Sequence, residues 1–304
     1  MPGEWYALDD GFRSPRRRER RARARGAPAP DRSAASGGRG VTAPGEIGPG
    51  ELAQVGRALA RRYGLSLASG LRDRLRAGLA AAAAARGEGA VALARRILGG
   101  EPEAVEALAE HAVVLETSFF RHPEQLAALE ATAFRRAGPL SIWSAGCATG
   151  EEPYTVAISL LEAGRAGRGD RVLATDVSAR ALAVARSASY GSRALRRVPP
   201  GLAERWFSPT PARTVAPEAR ALVALERHNL VADPIPEGAY DVVLCRNVLI
   251  YFETAVAAAV LDRLAAALRP GGLLVVGPVE LPLATALPLD PLEQGGATLL
   301  RRAP

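Results

Sequence analysis

From about Pro139 onward, short apolar runs alternate with helical stretches, and this alternation constrains the fold more than any other feature of the sequence. Leu140–Ala145 reads as a strand, Glu152–Ala163 as a helix and Arg171–Asp176 as a second strand. Ser178 is placed to cap the next helix, which runs to about Ser187. Val223–Arg227 and Asp241–Cys245 supply two more strands. A helix from about Thr254 to Leu268 stops at Arg269-Pro270-Gly271-Gly272, ahead of a strand at Leu273–Val276. Ala297–Arg302 follows as the last strand, antiparallel at the sheet's end. Strands joined by helices pair in parallel and need both faces covered, so residues 126–304 are expected to form a doubly wound α/β sheet. The Pro-, Arg- and Ser-rich stretch at about 190–222 is too long for an ordinary connection and predicts a small insertion on the strand tips.

Ahead of the sheet, residues 47–125 are expected to form a small helical domain and its linker. Leu52, Val55 and Leu59 make one apolar stripe, and Leu71, Leu75 and Leu79 another. The alanine run at 80–85 favours helix, and Gly99-Gly100 interrupts it. Residues 51–98 carry nine arginines against three acids, whereas 99–116 carry five acids and no arginine. Arg72 and Arg76 are one turn apart beside the leucine stripe, either the wet face of an amphipathic helix or a docking face for an acidic partner. Residues 1–46 mix ten arginines with Gly, Pro, Ala and Ser and show no apolar period, which predicts a disordered, solvated tail. Of the formal charge of +7, +4 sits in that tail; with no lysine in the chain the arginine bias is not read as phosphate recognition, and the high pI alone argues only weakly for nucleic acid. No apolar run is long enough to span a bilayer and no secretory signal opens the chain, so a cytoplasmic protein is expected. Cys147 and Cys245 are read as small packing residues, with no metal-ligand spacing near them.

The end of the first strand carries the most chemistry. Ala145 and Gly146 lead into Cys147-Ala148-Thr149-Gly150, where small residues let the backbone pass close to a ligand. Two carboxylates, Glu151 and Glu152, follow at once and would repel a pyrophosphate at the helix start. A cationic ligand suits them better, and S-adenosylmethionine carries both an ammonium and a sulfonium that Glu152 could meet. Asp176 ends the second strand, where a carboxylate can accept from both hydroxyls of a ribose. Asn229, after the third strand, and Arg246-Asn247, after the fourth, are candidates to read an adenine edge or a carboxylate.

Three ordered motifs now give a specific resemblance. Thr117-Ser118-Phe119-Phe120-Arg121, the Gly146–Tyr154 loop and Cys245-Arg246-Asn247-Val248-Leu249-Ile250-Tyr251-Phe252 resemble the chemotaxis receptor glutamate methyltransferases, the CheR family, over about residues 50–280. The resemblance implies a class I S-adenosylmethionine-dependent methyltransferase fold, Rossmann-like with an antiparallel last strand, a helical N-terminal domain and a small β-subdomain insertion. It implies that Thr117, Arg121, Glu152, Asp176, Asn229, Leu230, Arg246 and Asn247 line the cofactor site, with Arg121 and Tyr251 nearest the reacting groups. It implies a monomer that meets the cytoplasmic helical bundle of a chemoreceptor, without a stable nucleic-acid partner or membrane insertion. The expected products are glutamate methyl esters and S-adenosylhomocysteine.

Three departures mark this chain. Leu115 stands where the family usually has asparagine, Gly277-Pro278-Val279-Glu280 replaces Gly-His-Ser-Glu, and the insertion is short and lacks a glycine run. Two other readings stay open at this point: a methyltransferase acting on RNA or a small molecule, and a cofactor-binding signalling module with little or no catalysis.

Overall fold

The computed structural model describes residues 47–66, 71–209 and 211–304; the tail expected at 1–46 lies outside them. Four helices come first: α1 (Pro49–Tyr63), α2 (Leu71–Ala85), α3 (Ala90–Leu98) and α4 (Pro102–Ala112). They share one core, in which Leu52, Val55, Leu59, Leu75 and Leu79 are all buried, as their helical spacing predicts. The side chain of Leu71 lies outside the description. Gly99 closes α3, and Pro102 opens α4 at a first-turn position where its missing N–H costs nothing.

After α5 (Pro123–Ala131) the chain enters the sheet with β1 (Ser141–Ala145), α6 (Glu151–Glu162), β2 (Arg171–Asp176) and α7 (Ala179–Ser187). The insertion comes next. It holds a two-residue ribbon, β3 (Ser189–Tyr190) against β4 (Arg213–Thr214), with α8 (Pro200–Trp206) and α9 (Pro217–Ala221). Helix therefore outweighs sheet in the segment expected to be a β-subdomain. The sheet resumes with β5 (Val223–Arg227), β6 (Tyr240–Cys245), α10 (Thr254–Ala267), β7 (Leu268–Val276), β8 (Leu289–Gln294) and β9 (Ala297–Arg302).

The seven strands run in the order β5-β2-β1-β6-β7-β9-β8. The pairs from β5 to β7 are parallel, and β9 pairs antiparallel with both β7 and β8. Two sequence expectations are corrected here. The last strand does not lie at the sheet's end, because β8 covers it. The turn between them is Gly295-Gly296, both with positive φ, which suits a tight hairpin. Pro291 sits in β8, and an edge strand can spare the N–H that proline lacks. Nor does Arg269-Pro270-Gly271-Gly272 separate helix from strand. β7 starts at Leu268, directly after α10, and a register irregularity between Tyr240 and Val242 absorbs the misfit.

The helical domain is fastened to the carboxyl ends of the strands. Ser178 accepts from the Ala181 N–H, as a cap should, and its own hydroxyl donates to Glu110 of α4 at 2.6 Å. Glu110 also accepts from the Ala179 N–H at 2.7 Å, so an acid from α4 satisfies the open amides of α7. Beyond α1, Leu65 bridges to Phe252, and the Ser66 N–H donates to the Tyr251 carbonyl at 2.7 Å. No helix among the described residues is long and apolar enough to cross a membrane.

Candidate active site

The chain leaves β1 toward β2 and β5, then returns across β1 to β6. The winding direction reverses between β1 and β6, where open α/β sheets leave a crevice at their carboxyl ends. A cleft open to solvent occupies this place. Gly146 reaches it from β1, Asp176 from β2, Asn229 and Leu230 from β5, and Arg246 and Asn247 from β6. Thr117 and Arg121 approach from the segment before α5, Glu152 from the first turn of α6, and Tyr251 from the turn after β6. The three sequence motifs thus meet around one cavity.

Three expected residues behave differently. Ala145 does not line the cleft: it is fully buried in the core between the sheet and α10, with Trp143 and Val243. Arg72 and Arg76 line a separate groove beside Leu52, Ala53 and Arg57, between α1 and α2. The arginine that does reach the site from α2 is Arg74, whose guanidinium lies 5.9 Å from the centre of the Tyr251 ring.

Glu152 is already engaged. One oxygen accepts from Arg246 Nε at 2.7 Å and the other from the Ser144 hydroxyl at 2.6 Å. Arg246 goes on to donate to the Arg121 carbonyl at 2.9 Å and to Gln125 Oε1 at 3.3 Å. Gln125 in turn donates to the Val276 carbonyl at 2.8 Å. The acid and the arginine therefore form a mutually neutralised pair that ties the ends of β1, β6 and β7 to α5 and α6. The pair builds the floor of the cleft, and both of its members still line it. Asn229 is similarly occupied: its amide donates to the Arg62 carbonyl at 3.0 Å and accepts from the Val231 N–H at 3.0 Å.

Asp176 keeps capacity toward the cleft. Its two oxygens accept the backbone N–H groups of Ala148 and Ser178, both at 2.9 Å, and its carboxylate lines the cleft. Burial, with help from Glu110, pushes its carboxyl above the usual range, while the backbone amides of Ser178, Ala148 and Val177 pull it back. Burial, with help from Glu116, also raises the Tyr251 phenol above its ordinary value against the pull of Arg74 and Arg121. Tyr251 is therefore a neutral hydrogen-bond donor at physiological pH.

The glycines of the first loop serve the protein's own packing. A Cβ on Gly146 would lie 2.6 Å from Val248 Cγ2, and one on Gly150 would lie 2.8 Å from Ala185 Cβ. Both also have positive φ, which a side chain would strain. Ala148 and Asn247 hold positive φ without that freedom, so two strained residues face the same cleft.

Sequence reasoning missed the contributions of Tyr63, Leu65, Arg74 and Gln125, while His228 stands in the strand-end tripeptide with Asn229 and Leu230. Of those missed, all but Gln125 reach the site only through tertiary docking. Glu280 was visible in its four-residue motif, but its role was not. It is fully buried and accepts from the N–H groups of Gly277, Asn247, Leu249 and Ile250 at 2.7, 2.8, 2.7 and 3.2 Å.

A family profile described as the CheR methyltransferase SAM-binding domain matches residues 115–284. The probable biofilm formation methyltransferase WspC of Pseudomonas aeruginosa is 38% identical over 205 residues, covering 64% of this chain and 48% of that protein. Chemotaxis protein methyltransferase 2 of the same organism is 38% identical over 174 residues, covering 54% of this chain and 62% of that protein. The chemotaxis protein methyltransferase of Escherichia coli K12 is 34% identical over 177 residues, covering 54% of this chain and 60% of that protein. The chain spans between about half and three-fifths of the length of these relatives. With a single profile matching more than half of its residues, and that match centred on the strand-end cleft, the chain belongs to the CheR methyltransferase SAM-binding domain family.

Proposed function

We propose that the cleft binds S-adenosylmethionine and that the chain transfers its methyl group to glutamate carboxylates on the helical bundle of a chemoreceptor. The observation that carries this reading is that a nucleoside-type acid, Asp176, shares one cavity with Arg121 and Tyr251. The first suits a ribose, and the other two suit a carboxylate. One buried polar atom of a cleft residue, His228 Nε2, has no partner among the described residues, which fits a ligand that brings its own donors and acceptors. The relatives named above include chemotaxis methyltransferases, which supports the same substrate class.

Bound in the cleft, S-adenosylmethionine would supply an electrophilic methyl group on a sulfonium, leaving S-adenosylhomocysteine and a glutamate methyl ester. The protein needs no general base for this, because glutamate with an ordinary pKa of about 4.3 is already a nucleophile at neutral pH. Arg121 and Tyr251 act by orientation. Alignment of this kind is worth up to about 7–11 kcal/mol in well-organised systems. Tyr251, held neutral, can donate to one carboxylate oxygen and leave the other to attack. A tighter salt bridge from Arg121 would stabilise the ground state as well and gain less. Walls such as Leu65, Val113, Leu230 and Phe252 keep the cleft poor in water, which favours a step that consumes opposite charges.

Arg72, Arg74 and Arg76 are exposed on α2, and Arg72 and Arg76 form no ion pair among the described residues. They are suited to steer an acidic bundle toward the mouth. The test is transfer of labelled methyl to purified cytoplasmic receptor fragments and, in parallel, to bulk RNA. Label in the receptor fragments is expected; label in RNA alone overturns the reading.

A further inference from the structure

Four large hydrophobic residues are exposed among the described ones: Leu98, Val184, Ile250 and Val279. Two of them, Ile250 and Val279, belong to the loops that follow β6 and β7, and the first of these loops also carries Val248, Tyr251 and Phe252, which line the cleft. Ile250 directly precedes Tyr251, and Val279 is the most exposed of the four, at 68%. The two loops are locked together through Glu280. One of its oxygens accepts from the Leu249 and Ile250 N–H groups, and the other from those of Asn247 and Gly277. Pro278 stiffens the second loop further, since its ring fixes φ. Both aliphatic side chains are thus exposed on loops held together by Glu280, and Ile250 directly adjoins the tyrosine that carries Arg74 over its ring. In the motif this chain resembles, histidine and serine stand at 278 and 279, so the aliphatic side chain at 279 is a departure of this sequence.

We propose that Ile250 and Val279 form an apolar docking lip that selects the substrate helix. The lip takes an aliphatic side chain one turn away from the target glutamate, while Arg74 takes an acidic neighbour. This inference rests on the function proposed above and specifies its substrate. The occupant is an acidic amphipathic helix. Positions three and four residues apart on such a helix lie about 5–6 Å apart, so one face can offer a carboxylate and an aliphatic group together. Aliphatic residues beside a cation suit that face, whereas single-stranded nucleic acid calls for aromatic platforms. A lip fixed in advance loses little entropy on binding, and its small area suits a substrate that must leave after each turnover.

The test is steady-state methyl transfer to receptor helix fragments by wild type, Val279→Ser and Val279→Leu. Val279→Ser is expected to raise KM roughly three- to tenfold, as loss of one small apolar contact should. kcat should stay within about twofold, S-adenosylhomocysteine affinity should be unchanged, and Val279→Leu should retain the wild-type KM. The defect should persist at 1 M salt, where the charge contribution of Arg74 is screened. An unchanged KM in Val279→Ser overturns the lip and leaves the methyltransferase reading intact. A loss confined to kcat or to cofactor affinity also overturns it, because the residue is then structural. Wild type that methylates no helix fragment at all overturns both.

Discussion

Replacing Asp176 with alanine is expected to weaken S-adenosylhomocysteine binding by about 1.5–3 kcal/mol, or roughly ten- to a hundredfold. The side chain ends β2 and lines the switch-point cleft, where its carboxylate can meet a ribose. The same substitution releases the N–H groups of Ala148 and Ser178, so the first loop loosens as well. A pH series adds a second signature. Burial raises the Asp176 carboxyl, so on acidification it protonates at a higher pH than an ordinary aspartate. Its protonated form accepts poorly, and affinity in the wild type should begin to fall at that higher pH. Asp176→Asn should show no such step. Calorimetry that finds unchanged affinity in Asp176→Ala would remove this residue from the site.

The second large effect concerns the floor itself. Arg246→Ala should destabilise the fold by about 3–5 kcal/mol, because it leaves Glu152 as a nearly buried carboxylate without its partner. The Arg121 carbonyl and Gln125 Oε1 lose their donor in the same step. Removing the acid as well, in Arg246→Met with Glu152→Gln, should recover much of the loss, since breaking a buried pair costs more than deleting it. Denaturant unfolding measures both variants. A single substitution that costs less than about 1 kcal/mol would mean that the pair is peripheral to the floor.

Much of this site could be read from the sequence because strand-end chemistry is local. A glycine loop after β1, an acid at the end of β2 and polar residues after β5 and β6 fall where a parallel sheet brings them together. What was missed depends on tertiary docking. Arg74 lies over the Tyr251 ring in the tertiary structure, where Leu65 after α1 also bridges to Phe252, and nothing in the spacing of α2 separates Arg74 from Arg72 or Arg76. The pairing of Glu152 with Arg246 joins residues 94 positions apart, so each was assigned to a ligand when each first satisfies the other. The hairpin of β8 and β9 escaped because Pro291 reads as a loop, although the Gly295-Gly296 turn was there to be used. Helix α10 running straight into β7 went unread for a related reason: Pro-Gly-Gly punctuates most chains, and here the sheet register overrides it.

The central claim is that the acceptor atom is a carboxylate oxygen. Its most direct test is the alkali lability of methyl groups placed on receptor fragments by the purified chain with labelled S-adenosylmethionine. An ester hydrolyses in mild base, so the label should be released as volatile methanol within the treatment. Label that stays on the protein through alkali would mean methylation at nitrogen or carbon, and would contradict the account.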